Sequence, residues 1–170
     1  MPNGELEIYK YLRRGIQDEI MSLKELCKQV DPLIKRAEQA DQDSLIFYTR
    51  AAGSILHDFY TGVERIFQEI AKKLNGGLPK GDRWHMELLE SMAKPMETRP
   101  PVISRDLKDR LKEYLGFRHL FRSIYGSELK WDKLKHLLVR LCDSIWKEFH
   151  KDIGSFDTFL QDVLKETEEQ

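Results

Sequence analysis

From Glu5 to Ala40 the apolar residues Leu6, Tyr9, Leu12, Ile16, Ile20, Leu23, Cys27, Val30 and Ile34 recur at steps of three and four, with charged residues between them. That period predicts an amphipathic helix. Asp31-Pro32 should kink or break it, because proline cannot donate a hydrogen bond to the preceding turn. The polar segment from Gln39 to Ser44 turns the chain. A second long helix is predicted from Ser44 to Leu74, with Ala52, Ile55, Leu56, Phe59, Val63, Ile66, Phe67, Ile70 and Leu74 on one stripe. Asn75-Gly76-Gly77 supplies left-handed conformations for its end. Gly53 and Gly62 each cost about 1 kcal/mol relative to alanine inside a helix, so another helix is expected to approach closely there.

Leu78 to Asp82 reads as a loop, with Asp82 a candidate cap for a short helix from Arg83 to Lys94 that buries Trp84, Leu88, Leu89 and Met92. Pro95 and the run Thr98-Arg99-Pro100-Pro101 form a stiff extended connection, since proline biases the residue before it away from helix. Ser104 caps the next helix, which carries Leu107, Leu111 and Leu115 and ends near Gly126. Trp131-Asp132 opens another, with Leu134, Leu137, Leu138, Leu141, Ile145 and Phe149 as its apolar set, and a last short helix covers Phe156 to Lys165. The tail, residues 166–170, is expected to fray. No segment alternates with period two. The predicted architecture is one all-α domain over residues 1–170: a helical bundle of two long antiparallel helices against two further ones, with short helices closing the ends.

Charge narrows the functions. The chain has 28 Lys and Arg against 29 Asp and Glu, a formal net charge of −1, so any polyanion must meet a local patch rather than a generally basic surface. Cys27 and Cys142 match no metal or redox spacing and read as reduced core fillers of a cytoplasmic protein. Neither a signal-peptide pattern nor a run of ~20 apolar residues is present, so no membrane association is expected. His57, His85, His119, His136 and His150 are scattered without ligand spacing; no metal and no cofactor is expected. Serine-hydrolase elbows, zinc-peptidase helices and phosphate-cradling glycine loops are missing from the sequence.

The chemistry concentrates in residues 115–125. At 100° per residue Phe117, Leu120, Phe121 and Ile124 share an apolar sector, while Arg118, His119, Arg122, Ser123 and Tyr125 lie opposite. Two guanidinium groups, an imidazole, a hydroxyl and a phenol thus fall within about two turns, roughly 11 Å of axis. Arginines one turn apart favour an anion between them, either a phosphate or a carboxylate of the same protein. On the second long helix, Tyr60 and Glu64 are the candidate supporting residues: a phenol or carboxylate that meets the arginine face and orients it. The plainer alternative pairs Arg118 and Arg122 with Glu64, Asp109 or Glu128 inside the bundle and leaves Tyr125 as a core aromatic.

The stretch Phe-Arg-His-Leu-Phe-Arg-Ser-Ile-Tyr-Gly resembles the signature of HepT-like proteins, a branch of the HEPN superfamily of small all-α ribonucleases. Arg50-Ala51-Ala52-Gly53, residues 57–67, Leu78-Pro79, Trp84-His85 and Arg99-Pro100-Pro101 extend the resemblance over most of the chain. The family motif, Arg, four residues, His, one residue, Tyr, maps onto Arg118, Ser123 and Tyr125, with His119 at the polar position after the arginine. Serine stands where the motif has histidine. The resemblance implies a metal-independent RNA-cleaving toxin of a toxin–antitoxin pair, a homodimer in which two motifs face each other. It also implies a cognate minimal nucleotidyltransferase that neutralises the toxin by transferring AMP to the motif tyrosine, here Tyr125. The reaction needs a proton-transfer group and a cation for the phosphate. Arg118 and Arg122 suit the cation; Ser123 does not titrate near neutral pH, and His119, one turn away at about 6 Å, is the residue that could substitute. A natural loss of cleavage and a deliberately replaced active-site histidine both fit the serine. The expectation is a ribonuclease scaffold weak or inactive in this chain; the alternative is a catalytically inactive HEPN-like dimeric module that binds a partner.

Overall fold

The computed structural model describes residues 3–125 and 128–168. Its helices are α1 (Asn3–Cys27), α2 (Val30–Glu38), α3 (Gln42–Leu74), α4 (Trp84–Met92), α5 (Arg105–Ser123), α6 (Trp131–Arg140) and α7 (Trp146–Glu168), with a π-helical turn, Leu141–Ile145, joining the last two. The fold is all-α, and no strand occurs among the described residues.

Helix α3 is the axis of the bundle: α1, α2, α4, α5 and α6 all pack on it, and α7 packs on α1. Its composition explains this place. Fifteen of its residues, from Thr49 to Leu74, are buried, far more than one stripe of an edge helix would hide. The two helix glycines mark the close approaches. A Cβ on Gly62 would lie 2.6 Å from Leu23 of α1, and one on Gly53 would lie 2.7 Å from the Phe121 ring of α5. Both neighbours run antiparallel to α3, since Glu19 and Leu23 face Arg65 and Gly62, while Arg118 and Phe121 face Thr61 and Gly53. Aromatic residues fill the centre. Phe59 meets Tyr114 and Phe149 edge-on, and the buried Tyr114 hydroxyl donates to the Leu137 carbonyl at 2.9 Å, fastening α5 to α6.

Several boundaries differ from the periodic reading. The first break falls at Lys28-Gln29, ahead of Asp31-Pro32, because Pro32 sits in the first turn of α2, where its missing N–H costs nothing. Asp41 caps α3 through Ser44 N, and Ser104 caps α5 through Leu107 N. Asp82 is no cap: α4 starts after Arg83 without a side-chain bond. Helix α5 stops at Ser123 rather than near Gly126, a residue outside those described, and Ile124 is already extended. The separate terminal helix merges with its predecessor, so one rod runs from Trp131 to Glu168. The part of the expected frayed tail up to Glu168 is helical; residues 169 and 170 lie outside those described.

The loop between α4 and α5 is organised by one buried cation. Arg99 donates from Nε to Asn75 Oδ1 (2.8 Å), from Nη1 to the Lys94 and Pro100 carbonyls (3.2 and 3.0 Å) and from Nη2 to the Ser91 carbonyl (3.2 Å). It thereby ties the end of α4 to the end of α3. Cys27 and Cys142 are free; burial pushes the Cys27 thiol up to about 12 and the Cys142 thiol up to about 11, so both stay protonated near neutral pH.

Candidate active site between helices α3, α4 and α5

Helix α5 carries its buried side chains Leu107, Leu111, Tyr114 and Leu115 toward α3, and Arg118 is the next position of that same stripe. Only 12 % of its side chain is exposed. The guanidinium therefore enters the bundle instead of lying on an outer polar face. Nε donates to Thr61 Oγ1 at 3.2 Å, and Nη2 lies 3.4 Å from Glu64 Oε1. Phe117 and Phe121 pack beside it, the latter partly buried, whereas Leu120, expected in the core, is 51 % exposed.

Glu64 is the buried anion of this arrangement, with 3 % of its side chain exposed. Besides Arg118 it accepts from Gln68 Nε2 at 3.4 Å and, on its other oxygen, from His85 Nδ1 at 2.6 Å. Because an ionised carboxylate only accepts, His85 carries a hydrogen on Nδ1, and Nε2 is the ring nitrogen left for other chemistry. Trp84 stacks on His85 with ring centroids 3.6 Å apart, which fixes the plane of the imidazole. His119 meets the same ring edge-on at 5.1 Å.

The two imidazoles open into one small cleft of about 220 Å³, also lined by Asp82, Arg83, Met86 and Lys112. Desolvation, then the neighbouring charges of His85 and Arg118, hold the His119 pKa below the usual 6.5, so its ring is neutral at pH 7. Tyr60 lies under the pair, fully buried; burial and the Glu64 charge push its phenol well above the ordinary range, while Arg118 acts in the opposite sense. The Tyr60 hydroxyl and Arg118 Nη1 are buried without hydrogen-bond partners among the described residues.

The other predicted residues lie at the end of α5. Arg122 is exposed and has no ion-pair partner among the described residues. Ser123 is exposed, and its hydroxyl donates to the Leu120 carbonyl at 2.9 Å, with the His119 carbonyl at 3.4 Å. Tyr125 is beyond the helix and 81 % exposed, so the core-aromatic alternative does not hold for it. The arginine face of the sequence is thus divided: Arg118 and His119 belong to the interior cluster, and Arg122, Ser123 and Tyr125 to an open helix end. His85 is the residue missed from sequence. The dipeptide Trp84-His85 was its only signal, and a distance of 21 residues from Glu64 hid the partnership.

Among the described residues no group of three or more His, Cys, Asp or Glu side chains could hold a metal ion, and no helix is long and apolar enough to cross a membrane. An all-α bundle holding a buried Arg–Glu pair beside an Arg-His dipeptide defines a protein of HEPN type. The HepT-like protein family matches residues 51–160, well over half of the chain, and the chain belongs to that family. No match was found to a curated protein or to a solved structure.

Proposed function

We propose that this protein is a HEPN-type endoribonuclease of a toxin–antitoxin pair that acts as a homodimer in the cytoplasm and cleaves RNA without a metal. The observation that carries this reading is Arg118, held in the bundle by buried Glu64, next to a neutral imidazole at His119. A fixed cation stabilises the charge that develops on a phosphate, and a neutral imidazole accepts a proton near pH 7. Serine at the motif position makes the enzyme slow. The test is cleavage of labelled single-stranded RNA in EDTA, with enzyme in excess. The chain should cut slowly, Ser123→His should cut faster, and Arg118→Ala should be silent in either background. If neither the chain nor Ser123→His cuts while both are folded and dimeric, a partner-binding module takes the place of the enzyme. One observation favours that second reading: the Ser123 hydroxyl is engaged by the backbone of its own helix.

Tyr125 is the proposed target of a cognate nucleotidyltransferase. Its exposed phenol stands past the helix end, two residues from exposed Ser123 and three from Arg122, where added phosphates would find a cation. Coexpression with such a partner should add AMP-sized increments to the intact mass, and Tyr125→Phe should abolish them. Unchanged mass with an active partner rules the modification out.

A further inference from the structure

We infer that His85 and His119 form the acid–base pair of this chain, across the cleft between α4 and α5, with Glu64 as the positioning residue of His85. The inference rests on the ribonuclease reading and names the groups that move its protons. Three observations carry it. First, the rings lie 5.1 Å apart, close enough to serve two oxygens of one phosphodiester, and both line the same cleft. Second, His85 is held from two sides, by the 2.6 Å bond to Glu64 and by the Trp84 stack, as a residue with a fixed proton direction must be. Third, Arg83 and Lys112 line the cleft and give the phosphate a cationic wall, with Asp82 the one carboxylate lining it.

The step balances as follows. His119 takes the proton from a ribose 2′-OH, the freed oxygen bonds to phosphorus, the bond from phosphorus to the 5′-oxygen breaks, and His85 Nε2 delivers its proton to that oxygen. The products are a 2′,3′-cyclic phosphate and a 5′-hydroxyl end, and solvent exchanges the two ring protons afterwards. The positive charge of the acid form of His85 faces the Glu64 carboxylate, whose second oxygen faces Arg118. The charged and titratable groups around the pair are Glu64 from α3, Asp82, Arg83 and the histidine at 85 from α4 and its entry, and Lys112, Arg118 and Arg122 from α5. This places proton transfer on two elements of one protomer, away from Ser123.

The experiment is single-turnover cleavage by the unaltered chain, His119→Ala and His85→Asn on two RNAs, one ordinary and one with sulfur in place of the scissile 5′-oxygen. The asparagine amide keeps the donor to Glu64, and thermal unfolding checks that each variant folds. On ordinary RNA both variants should lose about 10²–10⁴-fold, the range of general acid–base catalysis. A thiolate leaves without a proton. On the sulfur substrate, therefore, His85→Asn should return to within about tenfold of the unaltered chain, and His119→Ala should not. Full activity of either variant on ordinary RNA overturns the pair, and so does an His85→Asn defect that sulfur fails to rescue. If the unaltered chain cuts neither substrate, the ribonuclease reading itself has failed, an outcome distinct from the others.

Discussion

Arg118→Ala is expected to destabilise the protein by about 3 kcal/mol, measured as a shift of the urea midpoint, as well as to silence cleavage. Removing one partner of a buried pair leaves an uncompensated charge, a loss of about 3–5 kcal/mol. The lower end applies because Glu64 keeps His85 and Gln68. A cycle separates the two roles. Arg118→Met combined with Glu64→Gln removes both charges and should recover most of the stability, since an apolar or neutral pair can replace a buried ion pair at little cost. Cleavage should stay absent, because methionine cannot stabilise charge on a phosphate. If Arg118→Ala unfolds at the unaltered urea concentration, Glu64 does not depend on the guanidinium and the site lacks its anchor.

The second large effect is expected far from any reacting atom. Arg99→Ala strips donors from three backbone carbonyls and from Asn75 Oδ1, all around a side chain that is 3 % exposed with its residue. At roughly 1 kcal/mol for each lost bond, the sum is about 4 kcal/mol, or about 10 °C in Tm for a chain of this size. Lysine should recover less than half, because one ammonium cannot reach acceptors spread over the planar fork of a guanidinium. The loss should also loosen α4, and amide exchange in that helix should rise more than in α1. A variant that melts within about 2 °C of the unaltered chain would show that the loop closes without this cation.

Both residues show which parts of the molecule were legible in the chain. The stripe of α3, its stop at Asn75-Gly76-Gly77 and the Ser104 cap depend on neighbours within one or two turns, and periodicity finds them. Pro32 was misplaced by a few residues because proline is tolerated in a first turn as well as forbidden in an interior one. Arg118 was misplaced for a better reason. A window starting at Phe117 gives it to the polar face, whereas Leu107, Leu111 and Leu115 at steps of four put it next in the buried seam. The longer window was the right one, and only the identity of the residue, a cation in a seam, argued against it. Glu64–His85 was beyond reach of any local pattern, since α3 and α4 must first pack. Arg99 read as part of a stiff connection between prolines; that it would be swallowed by four acceptors from three segments follows from tertiary closure alone.

The π-helical turn, Leu141–Ile145, carries a consequence for the whole final rod. In that rod Leu141, Ile145, Phe149 and Ile153 are spaced by four, and each such step advances about 40° around an α-helix. Three steps in succession would carry the apolar line a third of the way round the cylinder, and Ile153 would look sideways. All four are nevertheless buried. A π turn takes more residues per revolution and rewinds the drift, so it acts as a vernier between sequence spacing and helical phase. An alignment of this chain with a shorter relative should accordingly open its single-residue gap inside the helix, at 141–145, rather than in a loop. Closing that gap by deletion would rotate everything after it, Asp157 and its two bonds to Arg13 included, away from α1.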